Sequence, residues 1–292
     1  METNKLPKLN VKIDEKNDKE LFENFVRKGG VNYRKIFQAY PKLKSKLDQL
    51  RNEELGEVIY AFVEHLYFQH KSEVEKIVER ESKVLEDASI IIFPGLEKVM
   101  GCRWDSSFEF LAIPTFLPFS PFWKDRFYFS IYGEVIKGEE NKRRVDRIAI
   151  HELSHICWYQ KLDEVHKKLD FKLNNAANYY LKEAFASIIG ECDEFSKINK
   201  GRSLANYNTA ILRVRVGSEE MGFVNYFRKV FEEGRRTRAS FCSILEEVLK
   251  VCYSIQNTLD KKWSIWDKYG DDREKLLKME YQSPINIPAK HS

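Results

Sequence analysis

Apolar residues recur at helical intervals from about Lys19 to Leu85, most clearly at Leu55, Val58, Ile59, Phe62, Val63, Leu66, Val74 and Ile77, with lysine and glutamate between them. Gly29-Gly30 interrupts the pattern and Pro41 opens a new segment, so it predicts two short helices followed by one long one. The residues before about Glu15 are polar and read as irregular. From Ala88 to Ile136 the texture changes. Runs such as SIIIF, FEFLAI and RFYFSIYGEVI are rich in β-branched and aromatic residues and are broken by Pro94, Pro114, Pro118 and Pro121. They predict a small sheet with proline-guarded edges. Helical spacing then returns in about Lys142 to Lys168, Ala176 to Lys197, Glu219 to Glu233 and Ser240 to Trp266, and the tail after Asp271 reads as loose. Helices, a small sheet, then helices again describe an α+β chain, mostly helical, and not an alternating βαβ one. The change of texture divides it into an N-terminal helical region, residues 1–87, and a second region, residues 88–292, which can together form one compact unit.

Composition narrows the class. In 292 residues, 43% hydrophobic content is ample for a large core. The 49 basic and 45 acidic residues nearly cancel, so no field large enough to imply nucleic acid follows. The basic clusters Lys142-Arg143-Arg144 and Arg235-Arg236-Thr237-Arg238 are flanked by acidic residues and read as solvated helix ends. Cys102, Cys157, Cys192, Cys242 and Cys252 contain no C-x-x-C pair, which points to buried thiols of a reducing compartment. With no signal-peptide pattern and no membrane-spanning run, the expectation is a cytoplasmic protein without a membrane partner.

Chemistry concentrates at His151-Glu152-Leu153-Ser154-His155. Positions four apart on a helix lie on one face, about 6 Å apart along the axis, so His151 and His155 can direct two imidazole nitrogens at one ion. Glu152 lies about 100° around the helix, outside that clamp but placed to serve a water beside the ion as general base. The bland alternative is two core histidines satisfied by carbonyls or water. Against it, Val145, Ile148, Ala149, Ile150, Leu153, Ile156, Cys157 and Trp158 cover nearly all sides of the helix, and ionisable groups inside a core need a reason. His65 and His70, by contrast, read as structural, and Phe227, Phe231, Phe241 and Tyr253 as helical core.

A catalytic zinc needs a third protein ligand. The glycine and histidine that follow HExxH in metzincins are replaced by Trp158 and Lys161, which excludes that branch. Glu183 sits among small and apolar residues in Lys182-Glu183-Ala184-Phe185-Ala186-Ser187-Ile188-Ile189-Gly190. Glu191, two turns on, is the strongest substitute, while His166, Asp163, Glu164 and Asp170 lie in a charge-dense stretch. HExxH followed by this segment resembles the gluzincins, the thermolysin-like clan, in which a glutamate within N-E-A-x-S-D-x-x-G on the next helix completes the metal site.

That resemblance implies a zincin-like fold with the sheet packed on the active-site helix, zinc held by His151, His155 and Glu183, Glu152 as catalytic base, and a peptide or protein substrate. Lys182 stands where the clan has asparagine, and Ser187 where it has an aspartate that bonds a ligating histidine, so Ser187 or a backbone carbonyl would take that place. The run from Arg126 to Tyr132 would then either bind substrate by strand addition or be an ordinary core strand. Tyr179, Tyr180 and Tyr207 all follow the motif as donors for an oxyanion, with nothing in the sequence to separate them. A non-catalytic zinc-containing regulatory or binding protein is the competing expectation.

Overall fold

The computed structural model describes residues 6–51, 53–123, 126–140, 144–200, 207–270 and 272–288. Its elements run β1 (Lys8–Val11), α1 (Glu15–Lys28), α2 (Gly30–Ala39), α3 (Pro41–Leu47), α4 (Leu55–Gln69), α5 (Lys71–Met100), β2 (Glu109–Thr115), β3 (Phe122–Trp123), β4 (Arg126–Ser130), α6 (Tyr132–Lys137), α7 (Val145–His166), α8 (Asn175–Gly190), α9 (Ser196–Asn199), α10 (Tyr207–Ala210), β5 (Arg213–Val216), β6 (Glu219–Gly222), α11 (Phe223–Arg236), α12 (Phe241–Tyr269), α13 (Arg273–Lys278) and β7 (Ile285–Ile287). The protein is mostly helical with small mixed sheets, and among the described residues no helix is long and apolar enough to cross a membrane. It divides into two compact units, Met1–Ile90 with Trp104–Ala149, and Ile91–Arg103 with Ile150–Ser292. The chain passes residue 88, the expected limit of the N-terminal region, inside α5.

In the first unit a four-stranded sheet has the order β1-β2-β4-β3, with β1, β2 and β4 parallel and β3 antiparallel to β4. The polar start of the chain is therefore not irregular throughout, because Lys8–Val11 gains a backbone partner in β2. Pro114 is tolerated inside β2 because β1 extends only as far as Ala112 along that side. The free Pro114 carbonyl accepts instead from the Tyr67 hydroxyl at 2.8 Å. The expected long N-terminal helix is two, α4 and α5, separated at His70. The run SIIIF is helical as part of α5: Ile90 is 67% exposed while Ile92 and Phe93 are fully buried, which is helical and not alternating periodicity. After Ser130, the rest of RFYFSIYGEVI turns into α6.

Asp18 on α1 is fully buried in this unit. It accepts from the Thr115 hydroxyl at 2.5 Å, the Tyr67 hydroxyl at 3.1 Å and the Phe116 amide at 3.4 Å, which fastens α1 to the end of β2 and to α4.

The second unit is built around α8, whose residues from Leu181 to Gly190 are buried except Lys182, and which packs against α11 and α12. Asn174 caps α8 by accepting from the Ala177 amide at 2.8 Å and is itself held to Gln256 of α12. Ser240 caps α12 in the same way, from the Ser243 amide. A second mixed sheet, of order β6-β5-β7, was not evident in the sequence. Residues Glu219–Gly222, expected to be helical, form β6, because Gly217 at φ +59° supplies the turn that folds them back on β5. The tail is not loose through residue 288. Ile285 and Ile287 are buried as β7 pairs with β5, and Lys262 donates to the carbonyls of Glu280 and Ser283 just before it.

Candidate metal centre

His151, Glu152 and His155 lie on α7, within the second unit. The one-turn spacing does what it predicts: the two imidazole rings lie 4.6 Å apart, and His151, Glu152 and His155 offer ligand atoms all within 4.8 Å of one another. Glu183 reaches the same point from α8. Its Oε2 lies 3.1 Å from His151 Nε2 and its Oε1 3.4 Å from His155 Nε2. Trp158, one turn past His155, sets the two helices in register, with its indole N–H donating to Asn178 Oδ1 at 3.3 Å and its ring 5.3 Å from that of Phe185.

Ligand atoms bonded at about 2.0–2.2 Å to one tetrahedral ion stand about 3.3–3.6 Å apart, close to the two separations from Glu183 to the imidazoles. The donor set of two imidazoles and a carboxylate, nearly enclosed, fits zinc in its chemistry as well. The His151 side chain is 13% exposed, and those of His155 and Glu183 are 5% and 6% exposed.

Electrostatics divide the four groups. Burial alone would raise the Glu183 carboxyl, yet His155, His151 and Lys182 together hold it well below the usual carboxylate range. Burial, reinforced by the Lys182 charge, pushes His155 down to about 3, which keeps its imidazole neutral. For His151 burial lowers, but the hydrogen bond and charge of Glu183 prevail and hold the imidazole above its ordinary value. Glu183 is thus kept as a charged carboxylate hydrogen-bonded to His151, while burial keeps His155 neutral. Burial lifts the Glu152 carboxyl to about 7.

The alternative ligands go elsewhere. Glu191 is paired with Arg228 at 2.7 Å, and Glu164 with Lys161 at 2.8 Å. His166 ends α7 with its Nε2 buried and without a hydrogen-bond partner. Ser187 does not bond an imidazole, because its hydroxyl donates to Glu191 Oε1 at 3.2 Å. Nor does a carbonyl replace it: His155 Nδ1 is buried without a partner. In β4, Arg126 and Phe127 are paired with β3 on the side away from β2, and the Tyr128 and Ser130 amides donate to the Pro121 carbonyl and the Ser120 hydroxyl. In the second basic cluster Arg235 is paired with Glu194 and Arg236 with Glu233, as expected of a helix end; Lys142 and Arg143 of the first lie outside the described residues.

The three tyrosines are now distinct. Tyr180 meets the Tyr281 hydroxyl at 3.1 Å, and the Tyr207 hydroxyl is buried without a partner. Tyr179 lies one turn before Glu183 on α8 and accepts from Asn208 at 3.1 Å. Burial first, then the charge of Glu183, with a smaller contribution from Glu152, holds its phenol proton on. Its place four residues before Glu183 puts it on the same helix face, a distinction that counts only once Glu183 is seen to meet the imidazoles. Lys182 belongs to the centre too: its Nζ lies 3.0 Å from Glu183 Oε1. In the sequence it registers only as a departure from the gluzincin pattern. No protein-family model, no curated protein and no solved structure matches this chain.

Proposed function

We propose that this chain is a zinc-dependent metallopeptidase of zincin-like fold, acting in the cytoplasm on peptide or protein substrates. The observation that carries the reading is the Glu183 carboxylate meeting both imidazoles of the HExxH helix, at 3.1 and 3.4 Å. His151, His155 and Glu183 would hold the ion. When bound, zinc supplies Lewis-acid polarisation of a carbonyl and lowers the pKa of a water toward neutrality. Glu152 takes the proton: its carboxyl lies against the histidines in an enclosed place and has no fixed hydrogen-bond donor competing for its oxygens among the described residues. The same group returns that proton to the leaving amine. Tyr179, whose oxygen accepts from Asn208, keeps its own O–H to donate to the developing oxyanion. The five free cysteines suit a reducing compartment.

Metal analysis of the purified chain with a peptide-library digest tests the reading. One zinc per chain and cleavage that disappears in Glu152→Gln are expected; cleavage undiminished in that variant would remove the mechanism. A non-catalytic metal protein is the second reading, favoured by the unpartnered Nδ1 of His155. Stoichiometric zinc with no cleavage of any library peptide would select it.

A further inference from the structure

We infer that Lys182 is a resident competitor for the metal centre, a cation that shares the Glu183 carboxylate with any bound ion and sets the centre's affinity below what its ligands alone would give. The inference rests on the metal reading above. Lys182 Nζ lies 3.0 Å from Glu183 Oε1, the same oxygen that faces His155 Nε2 at 3.4 Å. The side chain is only 14% exposed, and its ammonium lies 5.7 Å from the centre of the Tyr179 ring, a cation–π arrangement that holds it over the site. Its ion-pair partner among the described residues is Glu183.

A divalent ion held by His151, His155 and Glu183 and the Lys182 ammonium are like charges with one carboxylate between them. In so enclosed a place their repulsion is weakly screened, so each weakens the other's hold on Glu183. A cation bonded to a ligating carboxylate also lowers its donor strength, the reverse of the support that outer partners usually give. His155 Nδ1, with no acceptor, adds nothing to offset this. Lys182 thereby makes the metal exchangeable.

The test titrates zinc into the full chain against a chromophoric chelator, at fixed pH and ionic strength, for wild type, Lys182→Met, Lys182→Gln and Lys182→Arg. Met and Gln should each bind one zinc about 10- to 100-fold more tightly than wild type, the range commanded by groups that touch a metal ligand from outside. Arg, keeping the charge, should stay near wild type. One zinc per wild-type chain with equal or weaker binding in Met and Gln would overturn the role of Lys182 and leave the centre standing. Tightening in Arg as large as in Met would also overturn it, by tracing the effect to packing. Zinc bound by none of the four proteins would remove both the competitor and the centre.

Discussion

Two buried carboxylates, Asp18 in the first unit and Glu183 in the second, meet opposite fates. Among the described residues Asp18 has neutral donors only, the hydroxyls of Thr115 and Tyr67 and the Phe116 amide, and burial pushes it up to about 7 despite all three. Glu183 is nearly as enclosed, yet two imidazoles and an ammonium hold it well below the usual range. The Tyr67 hydroxyl shows how the first case is resolved. It has one proton and two acceptors in reach, Asp18 Oδ2 at 3.1 Å and the Pro114 carbonyl at 2.8 Å. Tyr67 can give its proton to only one of the two at a time, and protonating Asp18 removes that competition and leaves the hydroxyl to the Pro114 carbonyl. Neutral donors suffice for a buried acid that stays neutral, and a buried carboxylate that stays charged needs cations. The Asp18 node is structural by that measure, while the Glu183 node gathers an ammonium and two imidazoles around one charged carboxylate.

The largest expected effect tests the second node's purpose. Glu152→Gln should lower hydrolysis by about 10²–10⁴-fold while zinc stays at one per chain, as measured by single-turnover cleavage beside metal analysis. Next, Glu183→Ala should weaken zinc by more than about 100-fold, exceeding what outer partners cost. Unchanged affinity in a chelator competition would break the comparison, since the cations would then not depend on that carboxylate.

The first node has its own pH signature. The unfolded Asp18 loses its proton near 3.9 and the folded one near 7, so between those values the native state binds more protons and stability falls as pH rises. The loss approaches about 4 kcal/mol as an upper bound at about 1.36 kcal/mol per unit, and is complete above pH 7. Asp18→Asn should match wild type near pH 4 and exceed it increasingly up to pH 7, the gap then staying constant, in urea unfolding at each pH. A gap independent of pH would mean that Asp18 is charged. The smallest effect is that of Tyr67→Phe, which leaves the Pro114 carbonyl and Asp18 without their shared hydroxyl and should cost about 1–3 kcal/mol by the same measurement.

Much of the candidate site was legible in the sequence because its geometry is local. Four residues on a helix bring His151 over His155 whatever the rest of the chain does, and the apolar surroundings of Glu183 signal a buried face. Lys182 was visible only as a mismatch, and Asp18, inside the charged run Glu15-Lys16-Asn17-Asp18-Lys19-Glu20, looks like surface. Its partners Tyr67 and Thr115 are remote in sequence, and no local pattern marks them. The long helices α7, α8 and α12 follow from their own spacing, while short strands do not. Lys8–Val11, Glu219–Gly222 and Ile285–Ile287 are too brief to show a period and become strands only through β2 and β5.

By itself the sequence determined the two-histidine face of α7, the enclosed setting of Glu183 and a mostly helical α+β chain, because each depends on residues within a few turns of one another. Tertiary structure decided the rest. It set Glu183 against both imidazoles, turned Ser187 away toward Glu191 and brought Lys182 onto the carboxylate. Hydrogen bonds and ion pairs between separate elements depend on the packing of whole helices, as Trp158 does for α7 and α8, and no sequence period encodes that distance.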